Sequence, residues 1–159
     1  MSLSERHEVS TADSAAVGEL VRATGFFSEE EIAIAVELVD ERLAKGDASE
    51  YFFVLVDDAE GLLGYTCFGP VPATQSSYDM YWIAVHPRAQ GRGVGRRLVE
   101  ATERAIAARG GTRVWVETSG REQYIPTRAF YQATGYAVAA VLEDFYAPGE
   151  SKYIFAKSV

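Results

Sequence analysis

The segment Val85-His86-Pro87-Arg88-Ala89-Gln90-Gly91-Arg92-Gly93-Val94-Gly95-Arg96-Arg97 concentrates the residues best suited to hold an anion. Three glycines at alternate positions separate an apolar run ending at Val85 from an amphipathic segment beginning near Val94. Glycines so spaced let the backbone curl until successive N–H groups converge. At a helix N-terminus those amides and the positive end of the macrodipole make a phosphate site. Arg96 and Arg97 fall where a first helical turn repels cations by a few tenths to ~1 kcal/mol each, a cost that a bound phosphate would offset. Tight strand-to-helix packing also calls for small residues, so the glycines by themselves leave both readings open. The spacing is not the Gly-x-Gly-x-x-Gly of dinucleotide sites, and with no lysine between Gly46 and Glu150 a Gly-Lys-Ser/Thr nucleotide loop is excluded.

The remaining pattern supplies the elements that would position this loop. A strand is expected around residues 5–9, then a helix capped by Ser10 or Thr11 with Val17, Leu20 and Val21 on one face and Gly25 at its end. Ser28 and Glu31 form a capping-box pattern ahead of Ile32, Val36, Val39 and Leu43 at helical spacing, closed by Gly46. Residues 51–56 and 62–68 read as a hairpin. Residues 78–85 are apolar on both faces apart from Asp79, as in an interior strand covered on both sides. A helix over 94–109, a strand over 112–118, a short helix opened by Pro126 and closed by Gly135, and strands over 136–146 and 152–156 complete the order. Hairpins mixed with crossover helices specify a mixed α/β (α+β) sheet with helices on both faces. No repeat or linker appears, so residues 1–159 read as a single domain.

Composition narrows the class further. A chain of 159 residues, 48% apolar and 24% charged, matches a globular domain, and the longest apolar runs are far short of the ~20 residues that span a bilayer. Residues 1–10 include Glu5, Arg6, His7 and Glu8 where a secretory leader needs apolar residues, so a cytoplasmic location is expected. The net charge of −8 argues against nucleic-acid or membrane partners. Its distribution is uneven: residues 1–80 carry −12 and residues 81–159 carry +4, with Arg88, Arg92, Arg96 and Arg97 clustered. That basic island fits either an anionic ligand or a solvated surface. The one cysteine, Cys67, excludes an intrachain disulfide, and no His/Cys/carboxylate group has metal-ligand spacing, so no metal is expected.

Gln90-Gly91-Arg92-Gly93-Val94-Gly95 resembles the Gln/Arg-x-x-Gly-x-Gly/Ala signature of the GCN5-related N-acetyltransferase (GNAT) superfamily. The preceding Ile83-Ala84-Val85-His86-Pro87 is similar to that family's fourth strand and its exit, and Phe130-Tyr131-Gln132-Ala133-Thr134-Gly135-Tyr136 to its Phe-Tyr-x-x-x-Gly-Phe/Tyr motif. The resemblance covers about residues 51–156. It implies a GNAT-like fold: a central, mostly antiparallel sheet of about seven strands that splays between the fourth and fifth. It also implies acetyl-CoA as cosubstrate, with the diphosphate on main-chain amides from Gly91 through Arg92, Gly93, Val94 and Gly95 to Arg96. Gln90, Ile83, Ala84, Val85, Phe130 and Tyr131 would complete the donor-binding set. The sequence departs from the family at Tyr124, where members often carry an asparagine that contacts pantetheine.

Acetyl transfer to an amine requires removing a proton from a group of pKa near ~10.4, stabilising a tetrahedral oxyanion and protonating a leaving thiolate of pKa near ~8.5. By resemblance Tyr131 points its hydroxyl at the thioester sulfur and acts as the acid. Asp79, the one ionisable residue in an apolar strand, is the leading candidate base, since partial burial raises a carboxylate's pKa. Glu117 is its rival, alternating with Trp115 and Ser119 on one face of its strand. The N–H of Val85 or a neighbour is the expected oxyanion donor. His86 reads as a loop or capping residue and Cys67 as a packed strand residue.

The expected function is transfer of acetyl to a primary amine, with a small molecule or amino acid as acceptor. Acidic residues of the two N-terminal helices could steer a cationic amine or merely form solvated faces. A non-catalytic acyl-CoA sensor, a protein N-terminal or lysine acetyltransferase and a nucleotide-binding module are the alternatives. Acyl length, acceptor and pathway are not encoded legibly, and a homodimer is compatible with the sequence. On this reading the purified chain binds acetyl-CoA but neither ATP nor NAD in calorimetric titration, and Gly93→Val weakens acetyl-CoA by about tenfold or more because a branched side chain blocks phosphate approach. Unchanged acetyl-CoA affinity in that variant contradicts the loop assignment.

Overall fold

Helical and strand periodicities resolve in the order that the sequence leads one to expect. The computed structural model describes residues 2–159. Strand β1 (Ser4–Arg6) precedes helices α1 (Thr11–Thr24) and α2 (Glu29–Lys45), then strands β2 (Phe52–Asp58), β3 (Gly61–Pro70) and β4 (Ser77–Val85). Helix α3 (Val94–Ala108), β5 (Arg113–Ser119), α4 (Ile125–Ala133), β6 (Ala137–Ala147) and β7 (Glu150–Ser158) follow. Among the described residues the strands form a seven-stranded sheet in the order β1-β2-β3-β4-β5-β7-β6. Strands β4 and β5 pair in parallel, whereas β1–β2, β2–β3, β5–β7 and β6–β7 pair antiparallel.

The chain divides into two compact units, residues 1–69 with 82–102, and residues 70–81 with 103–159. In the first unit, Val17, Leu20 and Val21 of α1 and Ile32, Ala35 and Val39 of α2 bury their apolar stripes against Phe53, Leu55, Tyr65 and Cys67. Full burial of each large aliphatic side chain stabilises by about 1.5–3 kcal/mol. Both helices begin with reciprocal caps. The Ser10 N–H donates to Asp13 Oδ2 at 2.7 Å, and in α2 the Ser28 N–H donates to Glu31 Oε1 at 3.0 Å. Arg6 ties β1, α1 and β2 together: its guanidinium donates to both Asp13 oxygens at 2.6 and 2.7 Å and to Asp57 Oδ2 at 2.7 Å. Strand β1 spans only Ser4–Arg6, where its pairing with β2 ends, and not the expected residues 5–9.

Helix α3 begins on the opposite face of the first unit's strands, and Gly64 of β3 sets how closely it lies. A Cβ at Gly64 would stand 2.9 Å from Leu98 Cδ1, 3.0 Å from the Ala84 carbonyl oxygen and 3.1 Å from Val94 Cγ1. One turn further on, Thr66 and Thr102 share a buried hydroxyl–hydroxyl hydrogen bond of 2.6 Å.

In the second unit β5, β7 and β6 pair in succession, and α4 packs on them through Tyr131 and Phe155, whose ring centroids are 5.6 Å apart. Pro126 lies one residue inside α4, which starts at Ile125, so the helix opens one residue before the expected proline. The expectation that β4 is covered on both faces needs correcting. Met80 is buried but Tyr81 is 40% exposed. The parallel register with β5 runs only from Ser77↔Arg113 to Asp79↔Trp115, so Tyr81 lies past the end of the ladder. Replacing Gly64 by alanine is expected to destabilise the fold by about 1–3 kcal/mol through displacement of Leu98, measurable as a lower midpoint in urea. An unchanged midpoint would contradict the close approach.

Candidate active site

The turn that follows β4 is fixed by local hydrogen bonds. The His86 N–H donates to the Leu63 carbonyl at 2.7 Å, and His86 Nδ1 accepts from the Arg88 N–H at 3.1 Å, so this histidine caps the short 3₁₀ turn Pro87–Ala89. Gln90 and Arg92 donate backward to Pro87 and Ala89, each at 3.2 Å. Gly91 and Gly93 then adopt φ of 77° and 74°, conformations that L side chains rarely occupy. A Cβ at either would meet no protein atom within 4 Å, so helix packing does not account for glycine there. Gly95 already lies inside α3.

This geometry leaves a row of donors. Among the described residues, the N–H groups of Gly91, Gly93, Val94 and Gly95 have no hydrogen-bond partner within the chain. Helices α1 and α2 satisfy their first amides with serine–carboxylate caps, and α3 has no acidic residue in its first turn. The donors at the start of α3 therefore suit a diphosphate.

Three arginines of the basic island, Arg88, Arg92 and Arg97, are engaged with carboxylates. Arg88 donates through Nη1 to Asp58 Oδ2 at 3.0 Å and through Nη2 to Asp58 Oδ1 at 3.1 Å. Arg92 Nη1 lies 3.4 Å from Asp58 Oδ2, and Arg97 Nε 3.5 Å from Glu5 Oε1. The Arg88 hydrogen bonds hold the Asp58 carboxyl well below the usual carboxylate range, against the desolvation that pushes it up. The −12 of residues 1–80 is thus partly matched by arginines that lie beyond residue 80.

In the second unit Tyr131 of α4 is buried among Phe130, Tyr136 and Phe155, with ring centroids 5.7, 5.9 and 5.6 Å away. Its hydroxyl has no hydrogen-bond partner among the described residues, and burial pushes its pKa up, so the phenol stays protonated at neutral pH. Tyr124 is the residue preceding α4, with its N–H on the Arg121 carbonyl at 3.0 Å.

Asp79 and Glu117 share one face of the sheet. Asp79 stands across from Trp115 on β5, and Glu117 follows two residues along. Lys152 of β7 reaches the same face: its ammonium donates to Glu117 Oε1 at 2.9 Å and lies 4.2 Å from the Phe145 ring centroid. Asp79 is raised above the ordinary carboxylate range by burial first and by the Glu117 charge second, with Lys152 opposing. The structure thus brings the two sequence candidates together and adds two residues that sequence reasoning missed, Asp58 and Lys152. Lys152 could have been found from the β5–β7 register, since it lies diagonally from Glu117, whose directly paired residue is Ile154. Asp58 carries no comparable signal. Cys67 is buried, and its thiol is pushed up by desolvation.

The match to known proteins is consistent across sequence and fold. A family model described as an acetyltransferase (GNAT) domain matches residues 48–138, so the chain belongs to the GNAT acetyltransferase family. A crystal structure of a GNAT-family protein from Desulfovibrio desulfuricans is 41% identical and superposes with a TM-score of 0.97, covering 99% of each chain. The mycothiol acetyltransferase of Beutenbergia cavernae is 30% identical over 117 residues, 72% of this chain and 38% of that protein, so the chain spans about two-fifths of this relative's length. The paia N-acetyltransferase of Thermoplasma acidophilum, solved with coenzyme A, shares the fold at 18% identity and a TM-score of 0.76, with 100% of each chain covered. Among the described residues no helix is long and apolar enough to cross a membrane.

Asp79 makes a stability prediction independent of any ligand. Its folded pKa lies above the unfolded value, so its charge destabilises the fold as pH rises through the folded pKa, and the effect vanishes below the unfolded value near ~3.9. Asp79→Asn is expected to raise Tm by about 1–3 °C at pH 7 and to leave it unchanged near pH ~3. A lower Tm at pH 7 would show that the carboxylate is held by partners that favour its charge.

Proposed function

We propose that the chain is an acetyl-CoA-dependent N-acetyltransferase that delivers its acetyl group to the primary amine of a small molecule or amino acid. The observation that carries this reading is the set of amides of Gly91, Gly93, Val94 and Gly95, without hydrogen-bond partners among the described residues, in a chain of the GNAT family. Those amides hold the diphosphate, and the thioester supplies an activated acyl group. Coenzyme A in the Thermoplasma acidophilum neighbour supports the choice of donor. The Beutenbergia cavernae relative, named for mycothiol, supports a small-molecule acceptor.

Asp79 accepts the proton that the acceptor ammonium must lose, because its raised pKa makes it a better base than an ordinary carboxylate. Glu117 is already matched by Lys152, which leaves Asp79 as the carboxylate available for that task. A main-chain amide near Val85 stabilises the oxyanion of the tetrahedral intermediate. Tyr131 then donates its hydroxyl proton to the departing sulfur, a role suited to a phenol whose hydroxyl has no hydrogen-bond partner among the described residues. The bond formed is N–C(acyl) and the bond broken is C–S; the second proton that the nitrogen releases as the amide forms restores the Tyr131 phenol, so the products are the amide, the free thiol and the proton held by Asp79.

Tyr131→Phe is expected to lower kcat by about 10–100-fold while acetyl-CoA affinity stays within about twofold. An amine library assayed by thiol release supplies the acceptor for this measurement. Undiminished turnover excludes the acid role, and absence of thiol release with every amine would favour the non-catalytic sensor.

A further inference from the structure

Asp58 closes β2, and its carboxylate is 0% exposed although it stands at a hairpin turn. Its acceptor sites are filled from three directions. Arg88 takes both oxygens at 3.0 and 3.1 Å, Arg92 reaches Oδ2 at 3.4 Å, and the Glu60 N–H donates to Oδ1 at 2.9 Å. Arg88 is reinforced by Glu60 Oε2 at 3.4 Å and the Gly61 carbonyl at 3.5 Å. The two arginines belong to the loop itself, Arg88 at its entry and Arg92 between the two left-handed glycines.

Two glycines at positive φ are the least self-determined positions a chain can have, because glycine has more conformations to lose than any other residue. Neither glycine has a side chain to anchor it, and the residue between them is gripped by one buried carboxylate. We propose that Asp58 is a positioning residue for the diphosphate loop: by holding Arg88 and Arg92 against the β2–β3 turn, it fixes Gly91 and Gly93 in the conformation that aims their amides at the ligand. This rests on the acetyl-CoA reading above. It assigns the two guanidinium groups to shaping the loop, and the contact with the anion to the main chain.

The test compares wild type, Asp58→Asn and Arg88→Met with two ligands, coenzyme A and S-acetylpantetheine, which lacks the diphosphate. Calorimetry gives the affinities, and hydrogen exchange of the unliganded proteins follows residues 88–95. The expected result for both variants is a loss of about tenfold in coenzyme A affinity, S-acetylpantetheine binding within about twofold of wild type, and faster exchange confined to the loop. Wild type that binds both ligands equally would overturn the diphosphate reading itself. Wild type that prefers coenzyme A, with variants that keep that preference and the same loop exchange, would overturn only the role of Asp58. Tighter coenzyme A binding by Asp58→Asn would overturn it too, showing that the carboxylate competes with phosphate for the arginines. If Asp58→Asn is globally unfolded, Arg88→Met decides, since Asp58 and Arg92 remain paired there. Equal loss of both ligands in that variant contradicts the proposal.

Discussion

A helix must find partners for its first amides, and among the described residues the Val94 and Gly95 amides that open α3 have none within the chain. Helices α1 and α2 begin at Ser10 and Ser28, each with a carboxylate three residues on that bonds back to the serine amide. Helix α3 begins at Val94 behind Gly91 and Gly93, with arginines rather than carboxylates in its first turn. The Gly64 contact, the His86 cap and the Asp58 grip all bear on how this one end is presented. Orphan donors at a helix start are tolerable when water or a ligand meets them, and a diphosphate meets several at once.

The electrostatics follow a similar economy. The chain carries −12 over residues 1–80 and +4 over residues 81–159, yet many of its charges are paired across the fold. Arg6 joins Asp13 and Asp57, Arg42 joins Asp47, and Arg88 and Arg92 join Asp58. In the second unit Lys152 matches Glu117, and Asp79 is left with the raised pKa that suits proton transfer. A carboxylate held with a raised pKa weakens the fold wherever it is charged.

Much of the architecture was legible because it is written locally. The capping pattern at Ser28 and Glu31, the burial of Ile32 and Val39, and the glycine stops at Gly25 and Gly46 act over a few residues and are realised, whereas Leu43, at the end of the same expected stripe, is exposed. The motif around Gly91 was legible for the same reason. What escaped notice depends on register and long-range placement. Asp58 and Arg88 are thirty positions apart along the chain, and the Arg6–Asp57 pair is separated by fifty-one. The exposure of Tyr81 reflects where a ladder stops, which periodicity within one strand cannot reveal. Gly64 carries no local signal, because the side chains that require glycine there, Leu98 and Val94, lie thirty or more positions further along the chain.

The central claim concerns main-chain N–H groups, and amide resonances report on them directly. In an ¹⁵N-labelled sample titrated with coenzyme A, the proton shifts of Gly91, Gly93, Val94 and Gly95 should move downfield together and saturate with the affinity measured independently. Titration with S-acetylpantetheine should leave those four in place. Saturable coenzyme A binding with these four resonances unmoved would contradict the account.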